Sequence, residues 1–148
     1  MKCKFELIPT IGINPIKLGE SRASIADLMN ATPDSFMKTP MSKYPTDAFF
    51  DSGFQIFYDG DNPIVDSIEL SRGCGFEVML SGVSVLEVPV EEVLVKVKEV
   101  TGIKPITEDD GYSYEIPKLG LWFWRPDNES DEEEGMYFST VGIETADT

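Results

Sequence analysis

Pro117–Pro126, Pro-Lys-Leu-Gly-Leu-Trp-Phe-Trp-Arg-Pro, holds both tryptophans of the chain, and Asp51–Tyr58, Asp-Ser-Gly-Phe-Gln-Ile-Phe-Tyr, reads like an earlier copy of it. Setting Gly53 on Gly120 places Phe54 on Leu121, Gln55 on Trp122, Ile56 on Phe123 and Phe57 on Trp124. Each glycine is followed by an apolar, aromatic strand whose alternate side chains leave opposite faces. Leu121 and Phe123 then face a core with Phe54 and Ile56. Phe57, Trp122 and Trp124 point the other way and need a second packing layer or a partner.

Further matches extend this apparent duplication. Cys3-Lys-Phe-Glu-Leu-Ile returns as Cys74-Gly-Phe-Glu-Val-Met, with apolar residues alternating with glutamate as a half-buried strand requires. Val65-Asp-Ser-Ile-Glu-Leu aligns with Phe138-Ser-Thr-Val-Gly-Ile. In that alignment Ile68, Leu70, Val141 and Ile143 read as core, while Val65 and Phe138 share the face of Phe57 and Trp122. The Asp-Gly step in Asp59-Gly-Asp-Asn-Pro favours a tight hairpin. Its counterpart is the longer Asp127-Asn-Glu-Ser-Asp-Glu-Glu-Glu-Gly. Tyr112 to Ile116, partnered by Ala48 to Phe50, supplies one more strand per half.

Each half also carries one helix. Ser21 is placed to cap a short helix with Ile25, Leu28 and Met29 turned inward. Pro33, Pro40 and Pro45 make the following run a loop, with one helical turn near Ser35 to Met37. In the second half Pro89 fits the first helical position, and Val90, Val93, Leu94, Val97 and Val100 recur at helical spacing before Gly102 stops the helix. Valines are poor helix formers, so packing must stabilise this element. The pattern predicts an α+β fold of two tandem strand-helix-strands repeats, residues 1–72 and 73–148. Together they make one compact domain, with one largely antiparallel sheet and helices on one face.

Charge narrows the partners. With 12 Lys and Arg against 27 Asp and Glu among 148 residues, the formal net charge is −15, which repels phosphate backbones and argues against direct nucleic-acid binding. A basic partner suits such a surface, although acidity also confers solubility by itself. The N-terminus lacks the pattern of a secretory signal and no stretch is long enough to span a bilayer, so a cytoplasmic chain with no membrane partner is expected. Cys3 and Cys74 are too few for a disulfide framework and are expected as thiols.

No catalytic signature stands out. The chain has no histidine, which removes the commonest acid-base group, the usual triads and most zinc chemistry. Neither cysteine has a histidine to activate it, and there is no nucleophile elbow or phosphate-cradling loop. Asp127, Glu129 and the run Asp131 to Glu134 offer oxygen ligands, but their spacing does not match the EF-hand loop. No metal or cofactor is therefore assigned, and the run is either a solvated loop or a mimic of phosphate charge that steers a basic partner. Arg125, between Trp124 and Pro126, can grip a carboxylate or form a structural ion pair.

The candidate site is thus an open sheet face carrying Gln55, Phe57, Trp122, Trp124, Phe138 and Val65, framed by Asp59, Asp61, Asp109, Asp110, Glu132 and Glu133. Exposed aromatic patches mark interfaces, where tryptophans are common hot spots. If both faces of the sheet are covered, these aromatics are core instead.

An aromatic, acid-rimmed sheet built from tandem repeats resembles the architecture of the beta-lactamase inhibitor protein family, whose concave sheet receives its enzyme. A small acidic chain without catalytic residues also resembles the immunity proteins that bacteria pair with contact-dependent and other polymorphic toxins, many of them basic nucleases. These resemblances imply a non-enzymatic, toxin-neutralising protein, monomeric when free, that binds a basic toxin domain. The competing reading is a small-ligand or carbohydrate-binding module with Trp122 and Trp124 as a stacking platform. A large charge-complementary face marks the first and a definite pocket the second.

Overall fold

The computed structural model describes residues 2–146. Its twelve strands form two separate sheets. The smaller contains β1 (Cys3–Ile8), β2 (Gly12–Asn14), β3 (Ile16–Lys17), β8 (Phe76–Leu80) and β9 (Val83–Ser84), in the order β3-β2-β1-β8-β9. The larger contains β4 (Asp34–Phe36), β5 (Thr46–Phe49), β6 (Phe54–Asp59), β7 (Ile64–Ser71), β10 (Ser113–Ile116), β11 (Leu121–Trp124) and β12 (Thr140–Glu144), in the order β10-β11-β12-β7-β6-β5-β4.

The expected single sheet of two tandem repeats is therefore not formed. The strands with the most literal sequence match, β1 and β8, pair with each other in parallel, Cys3 opposite Phe76 and Phe5 opposite Val78, and leave the larger sheet altogether. Both sheets combine strands from before and after residue 72. The helices differ as well. Helix α1 (Ile25–Met29) has five residues and follows a 3-10 turn at Arg22–Ser24, whereas α2 (Val90–Thr101) has twelve. So short an α1 cannot cover half of a sheet, and the β1-β8 pair takes that covering role.

One core joins these layers. Phe5 and Phe76 of the smaller sheet meet Phe54 of the larger, with ring centroids 4.9 Å apart for Phe5–Phe54 and 6.0 Å for Phe54–Phe76 in edge-to-face geometry, the arrangement the ring quadrupoles favour. Ile56, Ile68, Leu70, Leu121, Phe123, Val141 and Ile143 supply the rest of the larger sheet's inner face. Val90, Val93 and Val97 bring one stripe of α2 into the same core, so burial compensates for the weak helix propensity of valine. Pro89 stands just outside this helix as its N-cap, and Gly102 ends it in the left-handed region at φ 76°.

Several local expectations change in three dimensions. Ser35 and its neighbours form strand β4 against β5, Asp34 opposite Ala48, where a helical turn is expected; pairing with an existing sheet edge satisfies backbone groups that a lone turn would leave to water. Ser21 precedes the 3-10 turn without a side-chain cap, its hydroxyl meeting Ser24 Oγ instead. Leu28 and Val100 are exposed. At Gly53 a Cβ would fall 2.4 Å from Cys74 Cβ, so the absent side chain lets the β5-β6 turn close onto the segment leading into β8. Among the described residues, no helix is long and apolar enough to cross a membrane.

Candidate functional site

The inner layers leave the larger sheet's second face outward, and strand register states which residues share it. One continuous row runs Glu115, Trp122, Gly142, Glu69, Gln55, Ala48 and Asp34 across all seven strands. A second runs Ser113, Trp124, Thr140 and Ser71, and a third Glu144, Ser67 and Phe57. Gln55, Phe57 and Trp122 are half-buried and Trp124 is 40% exposed. The sheet thus brings both tryptophans and Phe57 onto one surface, interleaved with Glu69, Glu115 and Glu144.

Each aromatic is held differently. At Gly142 a Cβ would lie 2.1 Å from Trp122 Cε2 and Cζ2, so the indole rests on the backbone of β12 in space that only glycine leaves. Phe57 lies under Lys38, whose Nζ is 4.3 Å from the ring centroid and 4.0 Å from a Glu69 carboxylate oxygen, a cation–π contact reinforced by charge. Gln55 Nε2 donates to the Ser52 carbonyl at 2.8 Å.

Phe138 and Val65 do not belong to this face. Both are fully buried. Phe138 packs on Phe123 at 5.1 Å and Tyr114 at 6.0 Å; regular β12 starts only at Thr140, so strand alternation does not extend back to residue 138. Val65 is opposite Tyr58 whereas Ser67 is opposite Phe57, the mark of a β-bulge. The extra residue inverts the phase and turns Val65 inward.

The acidic frame divides between two ends of the sheet. Asp59 and Asp61 are exposed at the β6-β7 hairpin, while Asp109, Asp110, Glu132 and Glu133 are exposed near the opposite end of β7, where β11 and β12 exchange the 127–135 loop. The eight residues of β7 set these ends roughly 25 Å apart at ~3.3 Å per residue. Arg125 joins the loops of the second group. Its buried guanidinium donates to the carbonyls of Gly111 at 2.8 Å, Gly135 at 2.6 Å and Asn128 at 3.1 Å, and to Ser130 Oγ at 3.1 Å. Instead of the expected carboxylate, it takes backbone oxygens that the turns leave unpaired. Ser130 in turn donates to Glu91 on α2, which holds the Glu91 carboxyl below its usual range. A hydrogen bond from the Ser113 amide lowers the Asp109 carboxyl likewise.

Within the 127–135 loop, Glu129, Asp131 and Glu132 bring carboxylate oxygens within 4.8 Å of one another. All three are exposed, so the trio reads as solvated charge.

Two groupings lie beyond the expected residues. The first is a buried cluster behind β5. Asp47 accepts from Arg22 Nε at 3.0 Å, Arg22 Nη2 at 3.1 Å, Ser35 Oγ at 2.6 Å and Tyr58 Oη at 2.7 Å. Burial alone would raise the Asp47 carboxyl, but these hydrogen bonds outweigh it and hold it below the ordinary range. Tyr58 is pushed well above its ordinary value by burial and then by Asp47. Fully partnered, this cluster fastens β4 and the 3-10 turn to β5 and offers no open position.

The second grouping is a cleft of about 670 Å³ at the hairpin end of the outer face, lined among others by Asp66, Glu115, Lys118, Trp122, Glu144 and Thr145. Glu69, Glu115 and Glu144 each follow or separate core residues along their strands, so parity alone places them on the same face as Trp122; what sequence does not supply is the register that brings the strands together. No protein-family model, no curated protein and no solved structure matches this chain.

Proposed function

We propose that this chain is a non-enzymatic, toxin-neutralising immunity protein that works in the cytosol and receives a basic toxin domain on the outer face of its larger sheet. The observation that carries this reading is the row Glu115, Trp122, Gly142, Glu69 and Gln55, which sets an indole between carboxylates on a face turned away from the core. Tryptophans that are fixed but solvent-accessible are typical anchors of an interface. From β10 to β6 the accessible face spans five strands, roughly 19 Å at about 4.8 Å spacing, before Ala48 of β5 is buried. This is enough for the central part of the ~800 Å² that each partner contributes to a standard interface.

Charge supports the choice of partner. The formal charge of −15, with acidic loops at both ends of the face, favours encounter with a basic domain and acts chiefly on the association rate. A basic nuclease met in this way has its nucleic-acid surface occupied by carboxylates instead of phosphates.

The test is neutralisation of basic nuclease domains from polymorphic toxins, beginning with any encoded beside this chain. A cognate domain should be bound and silenced, with an association rate that falls steeply between low and physiological ionic strength, because exposed charges are screened beyond about 10 Å at 0.1 M. An association rate indifferent to salt, or neutralisation unaffected by Trp122→Ala with Trp124→Ala, would overturn the reading.

A further inference from the structure

The cleft at the hairpin end of the outer face has a chemistry of its own. Three strands aim carboxylates into it, Asp66 from β7, Glu115 from β10 and Glu144 from β12, and β11 sets Trp122 among them. The indole rests against Gly142 without room for a Cβ between them, so its position is set before anything binds. Asp66 is engaged on one side, accepting from Thr145 Oγ1 at 2.7 Å and from the Thr145 amide through its carbonyl at 2.9 Å. Among the described residues, Lys118, on the turn between β10 and β11, is the one cationic side chain in the lining. Three carboxylates against one ammonium leave the cleft net negative around an aromatic wall.

We propose that this cleft anchors an arginine of the basic partner, its guanidinium stacked on Trp122 and its N–H groups shared between Glu115 and Glu144; this rests on the function proposed above. Arginine fits better than lysine for two reasons. Its planar, weakly hydrated guanidinium stacks on an indole, and its fixed fork of donors serves two carboxylates at once where an ammonium acts as a point charge. The volume suits one long side chain entering with part of its backbone, and the open rim lets the rest of the partner continue across the face toward Trp124. Lys118, exposed at the rim of the cleft, opposes the arginine by like charge.

The experiment follows the Trp122 indole Nε1–H by NMR, identified by its loss in Trp122→Phe, during titration with acetyl-Gly-Arg-Gly-amide and its lysine and glutamine analogues. The arginine peptide should give a saturable shift, the lysine peptide a weaker affinity and the glutamine peptide none. Glu115→Gln and Glu144→Gln, each confirmed as folded by its unchanged amide spectrum, should weaken arginine binding by about fivefold, the upper range for a partly exposed ion pair. Lys118→Gln should strengthen it. The proposal is overturned if the arginine shift does not saturate, if the lysine or glutamine peptide binds as well, or if the glutamate variants bind unchanged. A toxin domain neutralised equally by wild type and by Glu115→Gln with Glu144→Gln would sink the anchor and leave the function standing. Arginine binding by a chain that neutralises no basic toxin would do the reverse.

Discussion

Gly142→Ala probes the contact on which the outer face is built. A Cβ at this position would sit 2.1 Å from two indole carbons of Trp122, closer than any van der Waals contact, while on β12 the backbone is flanked by the buried Val141 and Ile143 and has little freedom to retreat. The half-buried indole gives way instead and swings toward solvent. A tryptophan buries 150–250 Å² in a fold; losing about 100 Å² of that at ~25 cal/mol per Å² costs about 2.5 kcal/mol. Replacing a strand glycine by alanine returns roughly 0.5–1 kcal/mol, so the net loss is about 1.5–2 kcal/mol. Urea unfolding should record a lower midpoint at constant slope, and Trp122 emission, read in a Trp124→Phe background, should shift to the red. A variant with wild-type stability and unshifted emission would refute the packing of Trp122 on Gly142.

Other perturbations separate face from core. Phe123→Ala, at a fully buried position between the tryptophans, should cost about 3–5 kcal/mol, and Trp124→Ala, 40% exposed at the end of the same strand, should cost clearly less; equilibrium unfolding of the pair decides. Asp47→Asn should cost about 1–2 kcal/mol at neutral pH, because Arg22 loses its charged acceptor while its side chain, 32% exposed, keeps access to water. Since the folded Asp47 carboxyl is lowered from an unfolded value of ~3.9, its stabilisation is present above that value and disappears as pH falls through the folded pKa. Wild-type and Asp47→Asn stabilities measured against pH should therefore converge in acid, and curves that stay parallel below about pH 4 would contradict the linkage.

What the sequence discloses is mostly face, and what it conceals is mostly partnership. The alternation in Phe54-Gln-Ile-Phe and Leu121-Trp-Phe-Trp identifies which side chains are buried, and the valines of α2 show its inner stripe. Nothing in Cys3-Lys-Phe-Glu-Leu-Ile and Cys74-Gly-Phe-Glu-Val-Met says that these matching strands choose each other, in parallel, over two separate half-sheets. Period-two patterning fixes a face without naming a neighbour, and that gap turned two sheets into one expected sheet. Local irregularity explains the misplaced Val65 and Phe138, because a bulge opposite the Phe57–Tyr58 step and a late start to β12 invert phase in ways composition does not mark. The cleft carboxylates Asp66, Glu115 and Glu144 lie far apart in sequence, and only the β7-β12-β11-β10 register gathers them around Trp122. For Arg125 the sequence suggests a carboxylate or an ion pair, whereas its actual ring of carbonyl acceptors depends on loops whose closure no local rule prescribes.

The most direct test of the central claim is the affinity of Trp122→Ala for a cognate basic toxin domain, measured beside its unfolding free energy. If the outer sheet face receives that domain, binding should weaken by about 2 kcal/mol or more, roughly 30-fold, while the variant remains folded at the assay temperature. Binding within about twofold of wild type by a folded Trp122→Ala would place the partner elsewhere and contradict the account.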